Sequence, residues 1–168
     1  GAFLQATAEG EAALLQSVAL AIGSAKKITD LFAGVGTFAL PLAERAEVHA
    51  VEGESAMTTA LQKGANNAEG LRRVTVETRD LFRRPLEPDE FKGVDAVVID
   101  PPRAGAEAQM AVLARSAVPV IASVSCNPIT FARDAKTLIA GGYHLDWVQV
   151  VDQFRWSSHV ELVARFSR

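Results

Sequence analysis

Short apolar segments with the composition of buried strands alternate with helical segments along almost the whole chain. This alternation is typical of α/β proteins, in which helices cover both faces of a mostly parallel sheet. The predicted strands are Lys27–Phe32, Glu47–Glu52, Arg73–Thr78, Val94–Asp100, Val118–Val124, Tyr143–Val151 and Val160–Phe166. The predicted helices are Ala8–Ile22, Thr37–Arg45, Ser55–Ala68, Ala106–Arg115 and Ile129–Ala140. Leu81–Gly93 contains two prolines and is predicted to be a loop or a broken helix.

Length and composition indicate one globular domain that spans residues 1–168. No apolar run approaches the roughly 20 residues that cross a bilayer, and the N-terminus lacks the pattern of a secretion signal. We therefore expect a cytoplasmic protein without a membrane partner, and a monomer as the simplest assembly. Because the chain begins with Gly1 rather than Met, we also expect a domain excised from a longer protein.

The charge balance argues against a chain that holds nucleic acid by itself. Lys and Arg total 17 against 20 acidic residues, which gives a formal net charge of −3. Proteins that grip phosphates usually carry a basic excess. If the substrate is a nucleic acid, we expect much of the surface that binds its phosphates to lie outside this chain.

Acidic and glycine-rich segments follow the first three predicted strands, where open α/β sheets bind ligands. Gly34-x-Gly36-x-x-Ala39 matches the dinucleotide fingerprint, and Glu52 lies where an acid accepts hydrogen bonds from a ribose diol. Asp80 is placed to meet an adenine edge. The motif alone leaves three interpretations open: a nucleotide-type cofactor of a transferase, NAD in an oxidoreductase, or a tight turn without a ligand.

Cys126 is the single cysteine and stands between an apolar strand and Asn127-Pro128, which opens a helix. A solitary cysteine is most often a packed core thiol. Its position at the carboxyl end of a strand moves it towards the mouth of a site, and the start of the next helix favours a thiolate. Cys126 is therefore a candidate nucleophile.

Two further segments carry a family resemblance, Val98-Ile99-Asp100-Pro101-Pro102-Arg103-Ala104-Gly105 and Ser123-Val124-Ser125-Cys126-Asn127-Pro128. Together with Phe3-Leu4-Gln5 and His159-Val160-Glu161, they make nearly the whole chain resemble the catalytic domain of RNA 5-methyluridine methyltransferases. The resemblance implies S-adenosylmethionine as cofactor and rRNA or tRNA as substrate. It also implies the Rossmann-like fold of class I methyltransferases, with a seven-stranded sheet whose last strand is antiparallel.

The resemblance assigns a role to each reacting group. Cys126 matches the nucleophile that adds to carbon 6 of uracil, and Glu161 matches the base that removes the proton from carbon 5. Asp100 is expected to polarise the uracil, and Arg103 to orient the base or a phosphate. The expected cofactor-binding residues are Gln5, Asp30, Phe32, Gly34, Gly36, Glu52, Asp80 and Asp100.

The chain departs from the family in two positions, with Thr7 where relatives often have Asn and Arg155 where they often have Pro. Many members carry an RNA-binding β-barrel, some an iron–sulfur cluster, and an inserted substrate-binding region is also usual. We expect none of these within this chain, since one cysteine cannot hold a cluster. Alternatives to uracil-5 methylation are a class I methyltransferase with a cytosine or amine target, and a cofactor-binding module that is inactive alone.

Overall fold

A computed structural model describes residues 8–152 and 160–168. Its strands are β1 (Lys27–Leu31), β2 (Glu47–Glu52), β3 (Val74–Thr78), β4 (Ala96–Ile99), β5 (Val120–Ser125), β6 (His144–Asp152) and β7 (Val160–Ser167). Its α-helices are α1 (Ala8–Ile22), α2 (Ala39–Leu42), α3 (Ser55–Asn67), α4 (Glu107–Leu113) and α5 (Pro128–Ala140). A 3-10 helix, Pro88–Phe91, lies within the predicted loop between β3 and β4.

The described strands form one seven-stranded sheet in the order β3-β2-β1-β4-β5-β7-β6. The strands from β1 to β5 pair in parallel, and β7 is antiparallel to both β5 and β6. The predicted mostly parallel sheet with an antiparallel last strand is therefore confirmed. The strand order reverses between β1 and β4, and the carboxyl ends of β1 to β5 meet at one edge, here called the carboxyl edge.

Two hydrophobic clusters lie on opposite faces of the sheet. Along β4, Ala96 and Val98 join the cluster under α1 and α3, whereas Val97 and Ile99 join the cluster under α4 and α5. All four residues of β4 are buried, which explains why this strand is an uninterrupted apolar run. Within the described ranges, none of the helices is both long and apolar enough to cross a membrane.

The largest difference from the predicted elements is α2, which covers only Ala39–Leu42 of the predicted Thr37–Arg45. The amide of Leu40 still donates to the carbonyl of Gly36 at 3.0 Å. Pro41, however, has no N–H to donate to the preceding turn, so the ladder is interrupted where the helix would have grown. The remaining elements differ from the predicted ones by a few residues at their ends.

Gly141, at the carboxyl end of α5, tests how tightly the helices pack. A Cβ atom there would lie 2.4 Å from the carbonyl oxygen of Ala114. We expect Gly141→Ala to lower the free energy of unfolding by about 1–3 kcal/mol, the usual cost of overpacking. The control is Gly53→Ala, whose Cβ would meet the Arg79 carbonyl oxygen at an ordinary 3.5 Å. Urea denaturation measures both variants, and equal losses would contradict the packing shown by the structure.

Candidate active site

Acidic side chains from several strands converge on the carboxyl edge. Asp30 lies on β1 and Asp100 directly follows β4, and these strands pair with Leu31 opposite Ile99. The amide of Asp100 donates to the Leu31 carbonyl at 3.3 Å, which fixes the residue just beyond the last strand pair. Sequence positions that are far apart therefore lie side by side, as expected for parallel strands.

Cys126 and Glu161 meet because β5 and β7 run in opposite directions. The last pair of their ladder is Ser125 with Leu162. One step further along both strands, Cys126 and Glu161 occupy facing positions, and residues so placed lie within side-chain reach. The structure thus brings the predicted nucleophile and the predicted base together, beside Asp100.

Two carboxyl groups at this edge are buried without a complete set of partners. Asp30 is 0% exposed, and neither of its oxygens accepts a hydrogen bond of normal geometry in residues 8–152 and 160–168, although the Ala39 amide lies close enough to lower its pKa. Oε2 of Glu161 is also buried without a partner among those residues. A buried polar atom left unpaired costs free energy, so the edge is incomplete as it stands and suits a cationic or hydrogen-donating ligand.

Burial raises the pKa values of these acids. The pKa of Asp30 lies well above its usual value, mainly through burial and secondly through the charge of Asp100, while the Ala39 amide lowers it. Burial and the charge of Glu161 raise the pKa of Asp100 to about 8. Burial raises the pKa of Glu161. Asp100, with a pKa of about 8, therefore retains its proton at neutral pH.

The thiol of Cys126 is shifted in the same direction. Burial is the largest cause of its raised pKa, followed by the charge of Glu161; Arg103 lowers the value and Asp100 raises it. Burial and the two carboxyl groups together outweigh Arg103 and a backbone hydrogen bond of Cys126 itself. The favourable effect of the start of α5 on the thiolate stays a prediction.

The glycine turn after β1 leaves room for a ligand at one position. Gly34 has φ 59°, and a Cβ built there would meet no atom within 4 Å. Gly36 has φ 96°, and its Cβ would lie 3.0 Å from Leu40 and 3.1 Å from Leu61, so this glycine serves close packing. A direct contact of Gly36 with a cofactor stays a prediction.

Phe32 also adopts a left-handed backbone, with φ 60°, which is uncommon for a residue other than glycine. Its ring centroid lies 5.3 Å from that of Phe82, whose side chain is 54% exposed. Strain and exposed aromatic surface together mark this end of the edge as a ligand-facing region. Phe82 is not among the cofactor-binding residues predicted from the sequence, because an aromatic residue two positions after Asp80 does not by itself indicate a binding site.

Glu52 and Asp80 already bind backbone amides. The carboxylate of Glu52 accepts from the Gly34 amide at 3.1 Å and from the Glu54 amide at 2.8 Å, so it ties the glycine turn to β2. Asp80 is exposed and accepts from the Phe82 amide at 2.9 Å. Each carboxylate has lone pairs left for a ligand.

Residues 1–7 and 153–159 lie outside the described residues, so what the sequence predicts for Gln5, Thr7, Arg155 and the motif residues Phe3, Leu4 and His159 stays a prediction. Among the described residues, no group of three or more His, Cys, Asp or Glu side chains could hold a metal ion.

Asp30→Asn tests whether the acid cluster costs stability. Because the pKa of Asp30 is raised in the fold, the protonated form is favoured there, and stability is lost as pH rises through that raised value. We expect the variant to have a higher Tm than the unmodified chain at pH 8, by about 2–4 °C for each kcal/mol relieved, and no advantage near pH 4. The control is the exposed Asp89→Asn, and thermal unfolding across this pH range measures both. A lower Tm for Asp30→Asn at pH 8 would contradict the cost.

The strand order, the glycine turn and the acidic carboxyl edge define a domain with the class I methyltransferase fold. The family model described as tRNA (uracil-5-)-methyltransferase matches residues 1–167. The chain belongs to this family.

Individual proteins agree with this assignment. An RNA methyltransferase of Mesorhizobium japonicum is 58% identical over 164 residues, which are 98% of this chain and 40% of that protein. The 23S rRNA (uracil(1939)-C(5))-methyltransferase RlmD of Chromohalobacter salexigens is 39% identical, across 100% of this chain and 35% of that protein. The crystal structure of Pyrococcus abyssi tRNA (uracil-54, C5)-methyltransferase with S-adenosyl-L-homocysteine superimposes with a TM-score of 0.81 at 32% identity, covering 99% of this chain and 40% of that one. The chain thus spans less than half the length of these relatives.

Proposed function

We propose that this chain transfers a methyl group from S-adenosylmethionine to carbon 5 of a uridine in RNA, through a covalent bond between Cys126 and carbon 6. The observation that carries the proposal is the facing placement of Cys126 and Glu161 at the end of the β5–β7 ladder, beside Asp100. Membership of the uracil-5 methyltransferase family supports the same chemistry.

The carboxyl edge fits the proposed cofactor. S-adenosylmethionine carries a sulfonium and an ammonium group; when bound, it would supply its electrophilic methyl group to the nucleophilic carbon 5 of uracil and leave as S-adenosylhomocysteine. The buried, unpaired oxygens of Asp30 suit a cationic donor, and the space beside Gly34 allows a ligand to approach the backbone. We propose that Glu52 accepts hydrogen bonds from the ribose diol, and that Asp80 and the exposed Phe82 contact the adenine. The position of Glu52 beside the glycine turn and the exposure of Phe82 support these roles.

Carbon 5 of uracil is a poor nucleophile, and the addition of Cys126 to carbon 6 would make it a stronger one. The thiol proton of Cys126 leaves to water as the sulfur bonds to carbon 6, and the electron pair of the ring double bond moves to the oxygen on carbon 4. Asp100, whose pKa of about 8 keeps it protonated at neutral pH, is placed to donate a hydrogen bond to the charge that develops on the uracil.

Glu161 completes the cycle. It accepts the proton from methylated carbon 5, the electrons re-form the ring double bond, and the sulfur–carbon bond breaks. Burial raises the pKa of Glu161, which makes it a stronger base than an exposed glutamate. Glu161 then releases this proton to water and the thiolate regains a proton from water, so the chain returns to its starting state.

The RNA is proposed to be rRNA or tRNA, since the similar proteins above act on uridines of both kinds. A cytoplasmic location and a monomeric state stay predictions. The competing functions, methylation of another target without a covalent step and an inactive cofactor-binding module, are separated by the experiments below.

A 5-fluorouridine RNA tests the nucleophile. Fluorine on carbon 5 cannot leave as a proton, so a chain incubated with S-adenosylmethionine and this RNA should accumulate a covalent protein–RNA adduct after methylation. Intact mass under denaturing conditions measures the adduct for rRNA-derived and tRNA-derived substrates. Cys126→Ala removes the single thiol of the chain and should abolish the adduct.

Two results would contradict the covalent mechanism. One is methylation of unmodified RNA by Cys126→Ala at an unchanged rate, which indicates direct transfer. The other is the lack of an adduct both with this chain and with a chain extended to the full length of its relatives. Cofactor binding without any transfer in the extended chain would favour the inactive module.

Glu161→Gln tests the base with ordinary uridine. Glutamine keeps the size of the side chain but cannot accept the proton from carbon 5, so a methylated Cys126–RNA adduct should accumulate. Turnover should fall by about 100-fold or more, as is usual when a general base is removed. Radiolabelled methyl transfer and intact mass measure the two effects. The matched control is the exposed Glu69→Gln, and equal turnover in both variants would contradict the assignment.

A further inference from the structure

The segment 101–106, which follows β4 and carries Arg103, is fastened to the first turns of α5. It contains Pro101 and Pro102, which have no backbone N–H and cannot extend the sheet ladder. Its fixed position therefore depends on other hydrogen bonds. We call this segment the proline loop, and the α5 side chains that hold it the clamp; the clamp consists of Asn127, Thr130, Arg133 and Asp134.

The near half of the clamp lies next to the nucleophile. Nδ2 of Asn127 and Oγ1 of Thr130 each donate to the carbonyl oxygen of Arg103 at 3.2 Å. The other end of the Asn127 amide caps α5, because its Oδ1 accepts from the Ile129 amide at 3.0 Å. One side chain adjacent to Cys126 thus fixes both the start of the helix and the backbone of Arg103.

The far half of the clamp holds the end of the loop. Arg133 donates to the Ala104 carbonyl at 3.1 Å, and the buried Asp134 accepts from the Ala106 amide at 3.1 Å. The two clamp residues also pair with each other, with Nε of Arg133 at 3.2 Å from Oδ1 of Asp134. A charged hydrogen bond to a buried backbone amide is stronger than a neutral one, so this half is firmly held.

Gly105 shows how closely the loop lies against α5. Its φ is +82°, and a Cβ there would lie 2.5 Å from the Arg133 guanidinium and 2.9 Å from the Asp134 carboxylate. The left-handed backbone and the lack of space both require glycine. The loop therefore has one position against the helix.

The positive charge of Arg103 in the proline loop affects the ionisation of the Cys126 thiol. Glu161 and Asp100 both disfavour the thiolate of Cys126, and Arg103 is the cation that opposes them. The guanidinium can oppose them only while the loop keeps it at this edge, since its side chain is otherwise exposed.

We propose that the clamp is a positioning device for the nucleophile, which holds Arg103 beside the sulfur of Cys126. The clamp residues act through Arg103 and need not touch substrate. The role of this positioning in methyl transfer rests on the proposed function, but the effect on the thiol does not.

Thiol alkylation tests the clamp without RNA or cofactor. Cys126 is the single cysteine, so the rate of reaction with iodoacetamide reports this thiol alone. The midpoint of the rate against pH reports the ease of ionisation, whereas the limiting rate at high pH reports access. A loop that merely moved aside would change the limiting rate and leave the midpoint in place.

Thr130→Val keeps the shape of the side chain and removes a hydroxyl that lies 3.2 Å from the Arg103 carbonyl and 3.3 Å from the Asn127 carbonyl of its own helix. We expect its midpoint to rise by roughly 0.3–0.5 pH unit, the size expected when a partly exposed charge pair is loosened. The matched control is Thr137→Val on the same helix, whose hydroxyl bonds only the Arg133 carbonyl at 3.3 Å. Its midpoint should equal that of the unmodified chain.

Arg103→Gln shows whether the clamp acts through the guanidinium. The pH midpoint of Arg103→Gln should rise at least as far as that of Thr130→Val. The double variant should have the same midpoint as Arg103→Gln alone, because both changes remove the same interaction. Additive shifts, or equal midpoints for Thr130→Val and Thr137→Val, would overturn the proposal.

A second variant covers a failure of Thr130→Val to fold. Asn127→Ser keeps an oxygen to cap α5 but loses the donor to Arg103, so it should raise the midpoint in the same way. A lack of RNA methylation in every chain would overturn the proposed function and leave these thiol titrations unaffected. An unchanged midpoint in an active chain would overturn the clamp alone.

Discussion

The antiparallel pairing of β5 with β7 is the interaction on which the site depends. It sets Ser125 opposite Leu162 and thereby brings Cys126 and Glu161 to facing positions. A slip of one residue would turn every side chain of β7 to the other face of the sheet. The slip is opposed by burial, because Val163 joins the hydrophobic cluster on one face, whereas Ala164 and Phe166 join the cluster on the other. The apolar residues of β7 thus fix the position of a catalytic candidate that contributes nothing to the core.

The acidic groups at the carboxyl edge lower the free energy of unfolding. Asp30 is buried without a hydrogen bond of normal geometry among the described residues, and it lies close enough to Asp100 for the charge of Asp100 to raise its pKa further. Two apolar side chains in place of Asp30 and Asp100 would be buried at a lower cost in free energy. Sites that bind a cation commonly retain such unfavourable groups, because the ligand compensates them and gains affinity from doing so. The cost is confined to the edge, since the sheet beneath it is apolar on both faces.

Local pattern predicted the elements well, and long-range geometry less so. The end of α1 at Ile22 and both bounds of the strand Glu47–Glu52 agree with the prediction, because Gly23 follows the helix and charged residues mark both ends of the strand. The extent of α2 does not agree with it, since the effect of Pro41 depends on which carbonyl its ring displaces. The Ser-Cys-Asn-Pro and Asp-Pro-Pro motifs identified Cys126 and Asp100 as candidate site residues. The raised pKa of the thiol and the clamp on the proline loop required contacts between segments that are distant in sequence, and one sequence does not record those contacts.

Charge balance around Cys126 links ligand binding to the chemistry of the thiol. Asp100 and Glu161 raise its pKa and Arg103 lowers it, so the resting residue is protonated and weakly reactive. A cation bound among the carboxyl groups favours the charged form of every acid near it, the thiol included. The linkage is reciprocal: a ligand that promotes ionisation of the thiol binds more tightly to the ionised site by the same factor. The carboxyl groups that lower the stability of this edge therefore also disfavour the thiolate, and a bound cation would reduce both effects.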